Sequence, residues 1–282
     1  MTPTAANPPG AEPSAALLAG MPLRAGALIV TLYGDVIAPR GGEAWIGSVI
    51  EIGAALGLSE TLVRTAVSRL VAARQLEGER RGRRSFYRLS AAAQAEYAAA
   101  AAVIYAAPAP CGWRFVWTDG PVPPGHAPVA PGLSAGPDRG PIPAGAVFRA
   151  EAAGDATALR EFAARHWDLA ALSAAYDGML AATEPLAAQS HLSGAEALRA
   201  RLLLVHRFRH VVLRDPHLPE AALPVDWPGR AARAAFARAY LQLSRAADPH
   251  VGAVCAGPEG RLPAQTRATD ARLSGLAAHL AG

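Results

Sequence analysis

The chain has 282 residues, 51% of them hydrophobic, which is enough for two or three domains and more than one packed core. All 27 basic residues are arginine and the formal net charge is +4, a balance that suits an anionic partner. Cys111 and Cys255 are far apart and no CxxC occurs, which excludes a disulfide scaffold and a cysteine-rich zinc site. No secretory leader and no membrane-spanning run is legible, so the expectation is a cytoplasmic protein with no membrane partner.

Residues 1–21 are rich in Pro, Ala and Gly and are predicted to be a disordered tail. Leu28, Ile29, Leu32 and Tyr33 have the spacing of a helix face, closed by Pro39 and Gly41-Gly42. Trp45, Ile46, Val49, Ile50 and Gly53 predict a second helix stopping near Gly57. Ser59 is a good N-cap for a third, in which Val63, Ala66, Val67 and Leu70 recur at i, i+3, i+4 and i+7. The Gly-rich, basic stretch that follows predicts two short strands turning at Gly82. An Ala-rich linker helix is expected over 93–109.

Residues 110–167 begin with a predicted strand from Cys111 to Thr118, continue through a Pro- and Gly-loaded stretch from Gly120 to Gly145, and reach another short strand at 146–150. The remainder, 168–282, is expected to be all helical. Helices are predicted at 155–166, 168–187, 193–213 and 229–246, with one more short helix or a frayed tail at the end. Ser193 and Glu196 form a capping box.

The 60–90 segment holds eight arginines and three glutamates, a net +5 that exceeds the charge of the whole chain. Helix, short turn, capped helix and basic hairpin is the order of a winged helix-turn-helix, here over residues 22–92. With Val63, Ala66, Val67 and Leu70 facing a core, Ser59, Thr61, Arg64, Thr65 and Ser68 face outward, with Arg69 beside them. Small hydroxyls and an arginine can reach base edges in a major groove. Arg81, Arg83 and Arg84 at the hairpin tip can neutralise phosphates, and Tyr87 either bonds a phosphate or packs beneath the hairpin. The plainer alternative is a helical domain with a solvated basic hairpin.

Four motifs together are similar to the PaaX family: Leu-Tyr-Gly-Asp (32–35), Arg-Gly-Gly-Glu-Ala-Trp (40–45), Val-Arg-Thr-Ala-Val-Ser-Arg-Leu (63–70) and Gly-Arg-Arg-Ser-Phe-Tyr-Arg-Leu-Ser (82–90). The stretch 203–219 and the Leu-Pro run ending at Trp227 resemble the family's C-terminal signature. The resemblance implies an α+β, mostly helical homodimer in three parts: a winged helix-turn-helix, a small ferredoxin-like (Cas2-like) domain and a helical C-terminal domain. It implies a repressor of phenylacetic acid catabolism that binds a double-stranded DNA operator and is released by phenylacetyl-CoA or a related aryl-acyl-CoA. The chain departs from the family in the middle, where Pro121, Pro123 and Pro124 forbid the first helix of the central domain and leave it shortened.

Two readings of the C-terminal arginines stay open. His206, Arg207, Arg209, His210 and Arg214 form a basic wall for the phosphates of coenzyme A, or these arginines pair with Asp215, Glu220 or Asp226. His206 and His210 at i, i+4 lack a third ligand, so no metal site and no cofactor is expected. Trp227 is expected to anchor a loop, and Asp119 to be a turn residue before Gly-Pro rather than a nuclease ligand. No catalytic constellation is present, so no enzyme is expected. An acyl-CoA-binding or nuclease-like enzyme with an accessory winged helix, and a regulator with a lost or different effector, remain the alternatives.

Overall fold

The computed structural model describes residues 13–21, 24–106, 109–189 and 191–281; most of the predicted tail, residues 1–12, lies outside them. The tail's described end is not disordered. Residues Pro13–Leu18 form helix α1. Leu17 is fully buried in the main core, and burying that side chain outweighs the weak local preference of a Pro- and Ala-rich stretch.

The apolar run that follows is one helical stretch with three pitches: α2 (Ala25–Leu32), a π turn (Tyr33–Ile37) and a 3-10 turn (Ala38–Arg40). The π turn is the kind of irregularity that redirects side chains, and here it buries Tyr33, Asp35, Val36 and Ile37 together. Gly41 and Gly42, both at positive φ, then reverse the chain into strand β1 (Glu43–Trp45), followed by α3 (Ile46–Ala55) and α4 (Glu60–Ala72). The basic hairpin is β2 (Leu76–Arg81) and β3 (Arg84–Leu89), and the antiparallel sheet has the order β1-β3-β2. Trp45 therefore sits opposite Phe86 on a strand, not on the helical face predicted for it. Its extended backbone leads into α3. Helix α5 (Ala91–Tyr105) starts on Ser90, whose hydroxyl accepts from the Ala93 N–H.

The middle of the chain is a four-stranded antiparallel sheet, β4 (Trp113–Trp117), β5 (Ala127–Ala130), β6 (Leu133–Pro137) and β7 (Ala146–Ala150), in the order β5-β6-β4-β7. No helix lies between β4 and β5, where the prolines stand, and none between β6 and β7. Helix α6 (Ala156–His166) packs its Phe162 edge-on against Trp113 at one end of the sheet. Trp117 at the other end and Phe148 in the middle of β7 are more than half exposed.

The C-terminal part contains α7 (Leu169–Ala187), α8 (Gly194–Val212), α9 (Gly229–Val254) and α10 (Arg267–Ala281). The capping box is formed: Ser193 Oγ takes the Glu196 N–H, and the Glu196 carboxylate takes the Ser193 N–H. Helix α9 runs past the expected end at 246 and through Pro249, because Leu243, Ala247, Asp248 and Val251 prolong one buried stripe. The part is not all helical: β8 (Ala256–Gly257) and β9 (Gly260–Arg261) form a small ribbon, and Ser48 Oγ accepts from the Ala256 N–H.

One continuous core runs from Leu17 through α2, α3 and α4 into α7, α8 and α9. The N-terminal unit and the C-terminal helices are thus welded together. The central sheet shares a smaller separate core with α6, Leu218 and Ala222.

Candidate nucleic-acid interface

Helix α4 owes its start to Ser59, whose hydroxyl accepts the Leu62 N–H at 3.3 Å. Gly57, at positive φ, makes the turn before it. Gly53 lets the two helices close up, since a Cβ there would stand 2.7 Å from the Val63 side chain. Val63, Ala66 and Val67 are buried and Leu70 half-buried, as the spacing predicts. Thr61, Arg64, Thr65, Ser68 and Arg69 consequently share the exposed side. Arg64 is held by Glu60 one turn back at 2.8 Å, and Thr65 donates to the Thr61 carbonyl.

The hairpin turns at Gly82, also at positive φ. Its arginines are in different electrostatic states. Arg81 makes two 2.9 Å bonds to the Glu79 carboxylate and lies 3.6 Å from Glu43. Arg84 lies over the Trp45 ring at 5.0 Å, and Arg88 pairs with Glu77. Arg69, Arg74 and Arg83 are exposed and have no ion-pair partner among the described residues. Tyr87 is half-buried with its ring on Gly78, the packing alternative of the two expected for it. A shallow cleft of about 310 Å³ lined by Ser68, Arg80, Ser85 and Tyr87 joins α4 to the hairpin.

The C-terminal candidates do not make a wall. His206 is fully buried, with Nδ1 2.8 Å from Thr31 Oγ1. Arg207 turns the other way and donates to the carbonyls of Leu17, Ala19 and Gly178, closing the end of α1. Arg209 donates to the Ala27 carbonyl and Thr31. His210 Nδ1 lies 2.7 Å from the His206 carbonyl, and Arg214 is exposed. Side chains on successive helical positions point in different directions, which splits the set. Nor do these arginines pair with Asp215, Glu220 or Asp226 among the described residues: Asp215 accepts from Tyr176 and the His217 N–H, while Glu220 pairs with Arg230.

Trp227 packs edge-on against Tyr176, and Asp119 is exposed in a bend. No group of three or more His, Cys, Asp or Glu among the described residues is placed to hold a metal ion. No described helix is long and apolar enough to cross a membrane.

Sequence reasoning missed the polar groups that surround Asp35. Tyr105 and Tyr240 donate to its carboxylate at 2.9 and 2.8 Å, and Arg272 donates to its carbonyl. The available signal was an acidic residue inside the apolar run 28–37.

Two family models match the chain, PaaX-like protein over residues 24–93 and PaaX-like protein C-terminal domain over 167–253. The chain belongs to the PaaX family. A PaaX relative, transcriptional repressor PaaX of Escherichia coli (strain K12), is 31% identical over 290 aligned residues, spanning 91% of this chain and 92% of the relative. Among solved structures, the uncharacterized protein Rv0674 from Mycobacterium tuberculosis superposes with a TM-score of 0.50 at 21% identity, covering 81% of this chain and 99% of that one. That likeness concerns the fold.

Proposed function

We propose that this PaaX family member is a DNA-binding transcriptional repressor of phenylacetate catabolism genes rather than an enzyme. The reading is carried by the exposed side of α4, where Thr61, Arg64, Thr65 and Ser68 stand clear of the core beside a basic hairpin. Three helices and a β1-β3-β2 sheet support the reading of residues 24–90 as a winged helix-turn-helix, with α4 in the major groove and Arg83 at the phosphates. A homodimer would present two α4 helices to half-sites about 34 Å apart or a multiple of that. The strand order and antiparallel directions of the central sheet suit a ferredoxin-like unit that has dispensed with both crossover helices. The effector of this reading is phenylacetyl-CoA or a related aryl-acyl-CoA. It would act by favouring a dimer geometry that no longer matches the operator.

The test is a binding titration of the purified chain on the DNA upstream of its own gene, at one salt concentration, with and without phenylacetyl-CoA. The expected result is binding well above that to random DNA, released by the thioester. Equal affinity for both DNAs overturns the repressor reading; specific binding that ignores the thioester overturns the effector alone.

A further inference from the structure

A cleft of about 340 Å³ opens between α2, α5 and α8, near the lower end of the roughly 300–1,000 Å³ range of ligand sites. Its walls are mainly apolar: Ala27 and Val30 from α2, Ala100, Ala101 and Ile104 from α5, and Val205 from α8. Gly34 leaves room for the Tyr97 ring, which a Cβ would approach to 3.3 Å. The polar groups are sparse and unequal. Asp35 and Tyr105 are already bound to each other at 2.9 Å, and Gln75 and Glu96 stand at the edge. Arg209 is the exception. It is half-buried, it has no ion pair among the described residues, and only its Nη1 is engaged, on the Ala27 carbonyl and Thr31. The Tyr97 hydroxyl has no hydrogen bond to any described residue. A guanidinium without a counter-charge, removed in part from water, favours an oxygen acceptor that brings negative or partial negative charge.

We propose that this cleft binds a flat apolar group ending in a carbonyl or carboxylate oxygen, with Arg209 and Tyr97 donating to that oxygen. The proposal rests on the repressor reading above and locates its effector's acyl end. Of the residues first considered for the effector it keeps Arg209 alone. The cleft holds an aryl-acyl group and leaves a nucleotide outside. Its position supplies the coupling: Asp35 and Tyr105 line it, and the Asp35 carboxylate that takes the Tyr105 hydroxyl also takes that of Tyr240 on α9. An occupant that binds one arrangement of α2 and α5 better than another shifts the balance between them by that difference in affinity.

The experiment is calorimetric titration of the full chain, without DNA, with phenylacetate, phenylacetyl-CoA and coenzyme A alone. It is run on the wild type, on Ala100→Phe, which fills the cleft from α5, and on Arg209→Gln. Thermal unfolding and ligand-free DNA affinity identify a variant that has failed to fold. The expected result is at least tenfold weaker binding in both variants, with coenzyme A alone binding weakly to all three. Affinity for phenylacetate equal to that for the thioester assigns the ligand as the free acid, and affinity confined to the thioester assigns it as the acyl-CoA; either supports the site. Undiminished binding to folded Ala100→Phe overturns the cleft and leaves the effector reading standing. No binding to the wild type overturns both.

Discussion

Asp35 and Arg201, 166 positions apart in the chain, meet at 3.0 Å between Oδ2 and Nε with both side chains almost wholly buried. Arg201 also reaches Asp248 at 2.5 Å, and Arg40 reaches the same carboxylate at 2.6 Å. The N-terminal unit is therefore fastened to α8 and α9 by ions inside the core, where each charge depends on the others.

Removing one partner strands the rest, so Asp35→Asn is expected to cost about 3–5 kcal/mol in urea unfolding at pH 7. Burial alone would raise the pKa of Asp35, but Arg201, Arg272 and the two tyrosine hydroxyls outweigh it and hold the carboxyl below its ordinary range. The unfolded carboxyl titrates near ~3.9. Its contribution is thus complete above that pH and is lost as pH falls through the lower folded value. The variant's acid limb should be flatter than that of the wild type, and a loss under ~1 kcal/mol would contradict the network.

His206 gives a pH dependence of the same sign in a higher pH window, set by burial of a base rather than by ion pairing of an acid. Burial, aided by His210 and Arg209, pushes its pKa down to about 3. The unfolded imidazole takes up a proton near ~6.5, so between these values only the unfolded chain is protonated and stability falls as pH falls. Following the ring resonances by NMR should show no titration of His206 down to pH ~4.5. A midpoint near pH 6.5 would show that the ring is not shut in against Thr31.

Helix α4 was legible because its signals are local: an N-cap at Ser59, a 3.6-residue stripe and a glycine turn. The capping box at Ser193 was legible for the same reason. Trp45 was misread because its strand exists only through pairing with Phe86, more than forty positions away. Helix α1 was missed because its apolar stretch, 15–18, is too short to show a helical period, and Leu17 finds its core only in α7 and α8. The arginines of α8 show their charge in the sequence but not their direction. Arg207 serves the carbonyls of α1 while Arg209, two positions on, faces α2. The cleft between α2, α5 and α8 was illegible because three separate elements build it.

If Arg207 holds α1 by its terminal carbonyls, Arg207→Met should loosen residues 13–21 without changing DNA affinity. Charge-assisted bonds of this kind are worth on the order of 1.5–3 kcal/mol. Hydrogen exchange should accelerate several-fold in that segment and remain unchanged in α4. Unaltered exchange in α1 would assign its anchoring to Leu17 alone.

The hairpin arginines differ in what they have left to offer DNA. Arg83 has no ion pair among the described residues, whereas Arg81 is doubly bonded to Glu79 and close to Glu43. Each phosphate neutralised by a cation steepens the fall of log K with log salt by about 0.9. Arg83→Ala should therefore lower that slope by about 0.9 on operator and random DNA alike, while Arg81→Ala lowers it by clearly less. Glu79→Gln frees the Arg81 charge, so on that background Arg81→Ala should approach the full effect. Arg64→Ala should instead weaken operator binding more than random binding, the outcome that the proposed base-edge role on the exposed side of α4 requires. Equal slopes for Arg81→Ala and Arg83→Ala would mean that the Glu79 pair opens on DNA at no cost, and an unchanged slope for Arg83→Ala would remove the hairpin from the interface.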